Sequence, residues 1–291
     1  MPGEKEKESA VVNILKKTAR KDPLKLVFEE TLNSPSEICH EASKLNQTNI
    51  RGFRRRMQRV LGQEFFLRRI SQAYKTYPTA PSIALRKPSA ETLPPQAQAL
   101  FDIIARRRSC REYNGQTLKQ DDLSAILQNG YGITGRAMLP YKIVQQLRAV
   151  PSGGGLYPLE LYAACFDVEG INPGVYHYRM TDHSLEPVAV GQFREQFGRA
   201  FFYEEMFQKL QLLVVITGIP KRSSIKYNER AYRFMLLEAG HVGQNLCLSA
   251  SALNLGSVML GGFMDDDVSS LLGVDGLQEA ALYASAIGGM Q

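Results

Sequence analysis

Apolar residues recur at helical spacing at Leu100, Ile103 and Ile104, which predicts a helix from Gln96 to Arg107. A second helix is predicted from Gln120 to Gly130, opened by Asp121-Asp122 and stopped by Asn129-Gly130. The pattern then shortens. Glu160 to Val168 and Val175 to Arg179 are rich in Tyr, Phe and Val and are joined through Gly170, Asn172, Pro173 and Gly174, so they predict two strands. Leu212 to Thr217, Val258 to Leu260 and Ala281 to Ile287 predict further strands. The longest regular segment, about Glu229 to Leu253, is nearly apolar all round and predicts a central helix. Together these elements imply an α+β architecture, with helices flanking an antiparallel or mixed sheet.

Residues 1 to about 95 have a different texture. Arg51 to Lys75 predicts one helix with a cationic polar side, with Phe53, Met57, Val60, Leu61, Phe65 and Leu67 as its apolar positions. Prolines at 78, 81, 88, 94 and 95 then fix φ and remove donors, which predicts an extended linker. The division expected is a helical N-terminal extension with its linker over 1–95 and an oxidoreductase domain over 96–291. The net charge of +6 draws heavily on Arg51, Arg54, Arg55, Arg56, Arg59, Arg68 and Arg69. A solvated face or a dock for an acidic partner is preferred there over nucleic acid, because no nucleic-acid-binding module accompanies the charge.

Composition narrows the function classes. Hydrophobic content of 44% with 22% charged residues excludes global disorder, and no apolar run reaches membrane-spanning length. The first eight residues are charged rather than signal-like, so a cytoplasmic protein is expected. Four scattered cysteines and four histidines form neither a disulfide framework nor a metal-ligand spacing, so no metal is expected.

Three patches carry candidate chemistry. Arg107, Arg108, Ser109 and Arg111 follow a predicted helix and suit a bidentate grip on a phosphate; a solvated basic surface is the alternative. Pro151 to Pro158 holds Ser152, Gly153, Gly154 and Gly155, where bare backbone would let a flat ring approach, although ligand-free glycine turns are common. Lys226-Tyr227 precedes the long helix, where a buried lysine beside Arg230 would act as a base near neutrality. On that helix Glu238, His241 and Asn245 fall in one polar line, either an internal hydrogen-bond network or part of a site. Gln244 borders that line, and Gly261-Gly262 offers a second bare backbone after a strand.

In this order the patches resemble the SagB-type dehydrogenases, flavin-dependent azoline oxidases of the nitroreductase-like superfamily that include McbC-like enzymes and thiazole-forming oxidase domains. The resemblance covers roughly Leu100 to Gly288 and rests on three runs: Val150 to Pro158, Gly174-Val175-Tyr176-His177-Tyr178, and Lys226-Tyr227 through Arg230-Ala231-Tyr232-Arg233-Phe234 to Asn245. His40-Glu41-Ala42-Ser43-Lys44 resembles an element common in the family's N-terminal part.

The resemblance implies a nitroreductase-like α+β sandwich and a homodimer with FMN at the subunit interface. Arg107, Arg108, Ser109 and Arg111 would hold the phosphate and ribityl chain. Ser152, Gly153 and Gly154 would lie along the ring, with Gln244 bordering the cofactor and Gly261 and Gly262 near the reactive nitrogen. Lys226 and Tyr227 match the catalytic pair. A thiazoline or oxazoline in a peptide or carrier-bound intermediate would be oxidised to the azole in natural-product biosynthesis, with a cyclodehydratase or synthetase as partner. The alternatives are an NAD(P)H-dependent nitro or quinone reductase and a non-catalytic scaffold subunit. No basic residue follows Gly288, so another residue would supply the phosphate contact that relatives place near the C-terminus.

Overall fold

The computed structural model describes residues 34–61, 63–88 and 92–291. The charged N-terminal run, with the rest of residues 1–33, lies outside the described residues.

Helix α1 (Pro35–Ser43) opens on a capping box: Ser34 Oγ accepts from the Glu37 N–H, and the Glu37 carboxylate accepts from the Ser34 N–H. Helices α2 (Ile50–Leu61) and α3 (Glu64–Ser71) replace the single helix expected over Arg51 to Lys75. The apolar residues of α2 occupy one stripe and its arginines the remainder, as read, but Phe53, Met57 and Leu61 stay exposed. Residues 36–45 are fastened to the rest of the chain. The Ser36 N–H donates to Glu229 (2.8 Å), the Leu45 N–H donates to Asp265 (2.8 Å), and buried Lys44 donates to the Gly276 carbonyl (2.8 Å).

Helices α4 (Pro95–Arg106) and α5 (Gln120–Tyr131) lie within a residue of their expected bounds. An antiparallel hairpin of β1 (Ile133–Met138) and β2 (Val144–Arg148) follows, which the sequence reading did not anticipate. Strands β3 (Leu159–Cys165), β4 (Gly174–Arg179) and β5 (Ser184–Val190) form a meander. Two short helices, α6 (Arg194–Phe201) and α7 (Glu204–Gln208), lead to β6 (Leu212–Gly218). Then come α8 (Lys221–Tyr227), the long α9 (Arg230–Ala252), β7 (Leu255–Leu260), α10 (Asp265–Leu272) and β8 (Ala280–Gly289).

The main sheet has six strands in the order β5-β4-β3-β6-β8-β7, and every neighbouring pair is antiparallel. Because side chains alternate across a strand, β3 and β6 each serve two cores. Leu159, Leu161, Val214 and Ile216 face one cluster with Ile126, Val242 and Leu246 of α5 and α9. Tyr162, Ala164, Leu213 and Val215 face the other with Phe197, Phe201 and Phe207 of α6 and α7. Both faces are covered, which is why these strands read as continuous apolar runs.

Helix α9 departs from the expectation of burial all round. Arg233, Leu236, Leu237, Gly240, His241 and Gln244 form an exposed stripe at three- and four-residue spacing, while Met235, Ala239, Val242 and Leu246 face the core. The helix is buried along one side only.

Candidate active site

After β2 the chain turns through Gly153–Gly155 with φ +67° at Gly154 and +68° at Gly155, a region that side chains rarely occupy. Space enforces the same choice. A Cβ on Gly154 would lie 2.6 Å from the Tyr227 hydroxyl and 2.8 Å from Lys226 Nζ, and one on Gly153 would lie 3.3 Å from Phe234. The glycine turn, the last turn of α8 and the first turns of α9 therefore form one corner. The Tyr227 and Phe234 rings meet edge-on at 4.9 Å, and Lys226 Nζ lies 5.2 Å from the Tyr227 ring centre. Lys226 is exposed rather than buried, so the burial invoked to make it a better base is absent from the isolated chain.

A buried network fixes the corner from below. Ser152 Oγ donates to Glu238 (2.5 Å) and accepts from the Tyr157 N–H (2.9 Å), while the Tyr131 hydroxyl donates to the other Glu238 oxygen (2.7 Å). Burial raises the Glu238 pKa above the ordinary carboxylate range, and the two hydroxyl donors oppose that shift. Burial also pushes the Tyr131 phenol far upward. Glu238 is thus a structural hub, the internal-network alternative for this residue. Asn245 donates to the Asn129 and Ala149 carbonyls, whereas His241 is exposed, so the expected polar line is divided between core and surface.

The cationic patch lies elsewhere. Arg107 follows the last turn of α4, and the chain then runs beside the edge strand β7, where Ser109 bridges Ser257 and the Cys110 N–H donates to the Ser257 carbonyl (2.9 Å). Arg108 turns back on the backbone, donating to the Ala105 and Arg107 carbonyls. Arg107, Ser109 and Arg111 spend no side-chain hydrogen bond or ion pair on another described residue. Beyond β7, a Cβ on Gly261 would touch the Tyr283 ring at 3.4 Å, and one on Gly262 would meet nothing within 4 Å. Gln244 is exposed on the open stripe of α9.

Helix α9 connects the two groups. Phe234 and Glu238 hold the glycine corner, Gly243 makes room for Met259 of β7, and the Ser251 carbonyl accepts from Arg106 beside the cationic patch. From Phe234 to Ser251 is 17 residues, or about 26 Å of helix at 1.5 Å per residue. Ser152, Gly153, Gly154, Lys226 and Tyr227 are brought together; Arg107, Arg108, Ser109 and Arg111 are at the other end.

The Nitroreductase family profile matches residues 104–289, which takes in both groups. The chain belongs to the Nitroreductase family. It is 32% identical over 173 residues to MJ1384 of Methanocaldococcus jannaschii, a protein named as a nitroreductase; the match spans 60% of this chain and 83% of that one. It is also 30% identical over 146 residues to the microcin B17-processing protein McbC of Escherichia coli, spanning 48% of this chain and 54% of McbC, about half its length. The E. coli microcin synthetase McbBCD complex with truncated pro-MccB17 shares the fold, with a TM-score of 0.61 at 22% identity over 79% of this chain and 82% of the matched one. This nitroreductase-family chain thus has the expected α+β fold with a helical N-terminal region. Among the described residues, no helix is long and apolar enough to cross a membrane.

Proposed function

We propose that this protein is an FMN-dependent dehydrogenase that oxidises an azoline, or a related amino-acid-derived intermediate, within a peptide or carrier-bound substrate. Residues 96–291 would carry the chemistry and residues 1–95 an appended arm. The observation that carries this reading is the close approach of Lys226 and Tyr227 to Gly154, which sets an amine and a phenol over a bare turn. The donor set fits FMN: unspent guanidinium groups at Arg107 and Arg111 with the Ser109 hydroxyl suit a phosphate, and open backbone at Gly262 suits a flat ring. Bound FMN supplies a hydride acceptor.

Lys226, with Tyr227 beside it, takes the proton from the substrate carbon next to the carbonyl, while the neighbouring carbon gives up hydride and the ring becomes aromatic. Phe234 walls the corner, and Ser152 holds the loop through Glu238. The similarity to McbC, a peptide-processing protein by name, supports a peptide substrate.

The reading includes a homodimer. Patches at opposite ends of about 26 Å of helix are further apart than one FMN reaches, so one chain alone does not close the site. Two copies of α9 packed antiparallel about a two-fold axis would set the glycine corner of one beside the cationic patch of the other. The exposed stripe with Leu236, Leu237 and Gly240 supplies a surface for that packing. Leu237→Arg is expected to convert the dimer to monomer and release the flavin together, read by light scattering and absorbance.

The purified protein is expected to be yellow and to bleach anaerobically with an azoline peptide alone, with the product lighter by a hydrogen pair in mass spectrometry. Lys226→Ala is expected to keep the flavin and slow turnover by about 10²–10⁴-fold, the usual range for a lost general base. Undiminished turnover in that variant rejects the base. The similarity to MJ1384 favours a second reading, a nitro or quinone reductase, which bleaching by NAD(P)H alone would indicate.

A further inference from the structure

Where the chain leaves the glycine turn, Leu156 and Tyr157 border a cleft of about 410 Å³, within the size range of small-ligand sites. Arg148, Tyr157, Glu160, His177, Arg179 and Arg222 line it, from β2, the loop, β3, β4 and α8. We propose that this cleft binds a carboxylate, presented by an acidic side chain or a free C-terminus of a peptide.

The charges that line the cleft are unevenly paired. Arg222 pairs with Glu160, and Arg179 pairs with Asp182 and Glu186. His177 sits between Glu160 (3.0 Å) and Glu186 (2.9 Å). The sole lining carboxylate, Glu160, is therefore engaged by both Arg222 and His177. Arg148 forms no ion pair with any described residue. Its guanidinium lies 4.4 Å from the Tyr131 ring centre and 4.8 Å from that of Tyr157, with one long hydrogen bond to the Leu159 carbonyl (3.4 Å). Glu238 feels that charge, but both of its oxygens already accept from Tyr131 and Ser152. A planar fork of donors held by two rings and facing open space is suited to a carboxylate. Ile133, Leu156 and Met180 add an apolar wall for the chain that bears it.

The cage is built at a cost. Tyr157 has φ +48°, strained for a bulky residue, and its hydroxyl accepts from the Arg148 N–H (3.2 Å). The cleft also has a set relation to the candidate base. Arg222 and Lys226 are four residues apart on α8, one helical turn and about 6 Å along its axis, a span of roughly two extended residues. Resting on the function proposed above, a cleft wall and a candidate base on one helix favour a substrate that carries its acidic group close in sequence to the reacting ring. The binding itself requires no turnover.

The test uses the full chain with its flavin and calorimetric titration of three probes: N-acetyl-Ala-Asp-Ala-amide, its Asn counterpart, and N-acetyl-Ala-Ala-Ala with a free carboxyl end. One of the two carboxylate probes is expected to bind about 10- to 100-fold tighter than the Asn peptide, and which one identifies the source. Arg148→Gln is expected to abolish that preference and Arg148→Lys to restore part of it. Thr181→Glu, an exposed substitution on the rim, is expected to weaken the carboxylate probe several-fold at unchanged melting temperature, and it decides the matter should Arg148→Gln not fold. Equal affinity for all three probes, or a preference that survives both Arg148→Gln and Thr181→Glu, overturns the site. Loss of turnover in Lys226→Ala with the preference intact separates this binding from the oxidation.

Discussion

The glycine corner and the cationic patch stand at opposite ends of α9 and are built in opposite ways. At the corner every polar group below the turn has an internal partner: Ser152 and Tyr131 donate to Glu238, and Tyr157 donates to Ser152. At the patch Arg107, Ser109 and Arg111 are left unspent beside an edge strand, and only Arg108 turns inward. One end is finished by the chain itself, and the other leaves those three donors without an internal partner among the described residues. Rigidity is thus placed where a ring and a proton would have to be positioned, and unsatisfied charge where a phosphate would supply the missing partner.

The contrast can be broken most sharply at the patch. Arg107→Ala together with Arg111→Ala is expected to weaken FMN binding by roughly 10²–10⁴-fold, two lost charge-assisted hydrogen bonds, with the melting temperature of the flavin-free protein unchanged. Retention of stoichiometric flavin after dialysis would place the phosphate elsewhere. The corner should respond in stability instead. Gly154→Ala forces a side chain into the left-handed region at a cost of about 1–2 kcal/mol and displaces the ends of Lys226 and Tyr227, so both the melting temperature and turnover should fall. An unchanged denaturation midpoint would show that the turn is looser than its contacts indicate.

The smallest effect expected lies at the cleft. The hydrogen bond to Glu160 raises the His177 pKa above the ordinary 6.5; burial opposes the rise, and Glu186 adds to it. Burial alone would raise Glu160, but His177 and Arg222 bring it below its ordinary value. The folded state therefore binds the His177 proton more tightly than the unfolded state does. That stabilisation is complete below 6.5 and is lost as pH rises through the folded value. The melting temperature is therefore expected to fall as pH rises through that window, and His177→Gln should flatten the fall.

The sequence made the sheet legible where burial on both faces left no ambiguity, at β3, β6 and β8. It concealed the β1–β2 hairpin, whose inward positions include Ile133, Gly135 and Ala137, too little apolar bulk to mark an alternation. Helices α6 and α7 leave no mark in the sequence although Phe197, Phe201 and Phe207 anchor a core, because each helix is too short to establish a period. The contact of Lys226 and Tyr227 with Gly154 was approachable only through resemblance, since some seventy residues separate them. Arg148, Glu160, His177 and Arg222 come from four elements and share no local pattern. The pairing of Tyr162 with His177 and the turn into α8 assemble them. Lys226 is exposed rather than buried for a physical reason: it sits in the last turn of a seven-residue helix at the molecular surface.

One helix therefore serves as a ruler. Its length is as constrained as its composition. Inserting a single residue between Glu238 and Gly243 would swing one end by about 100° relative to the other, so that Ser152 and Met259 could no longer both be met by the same rod.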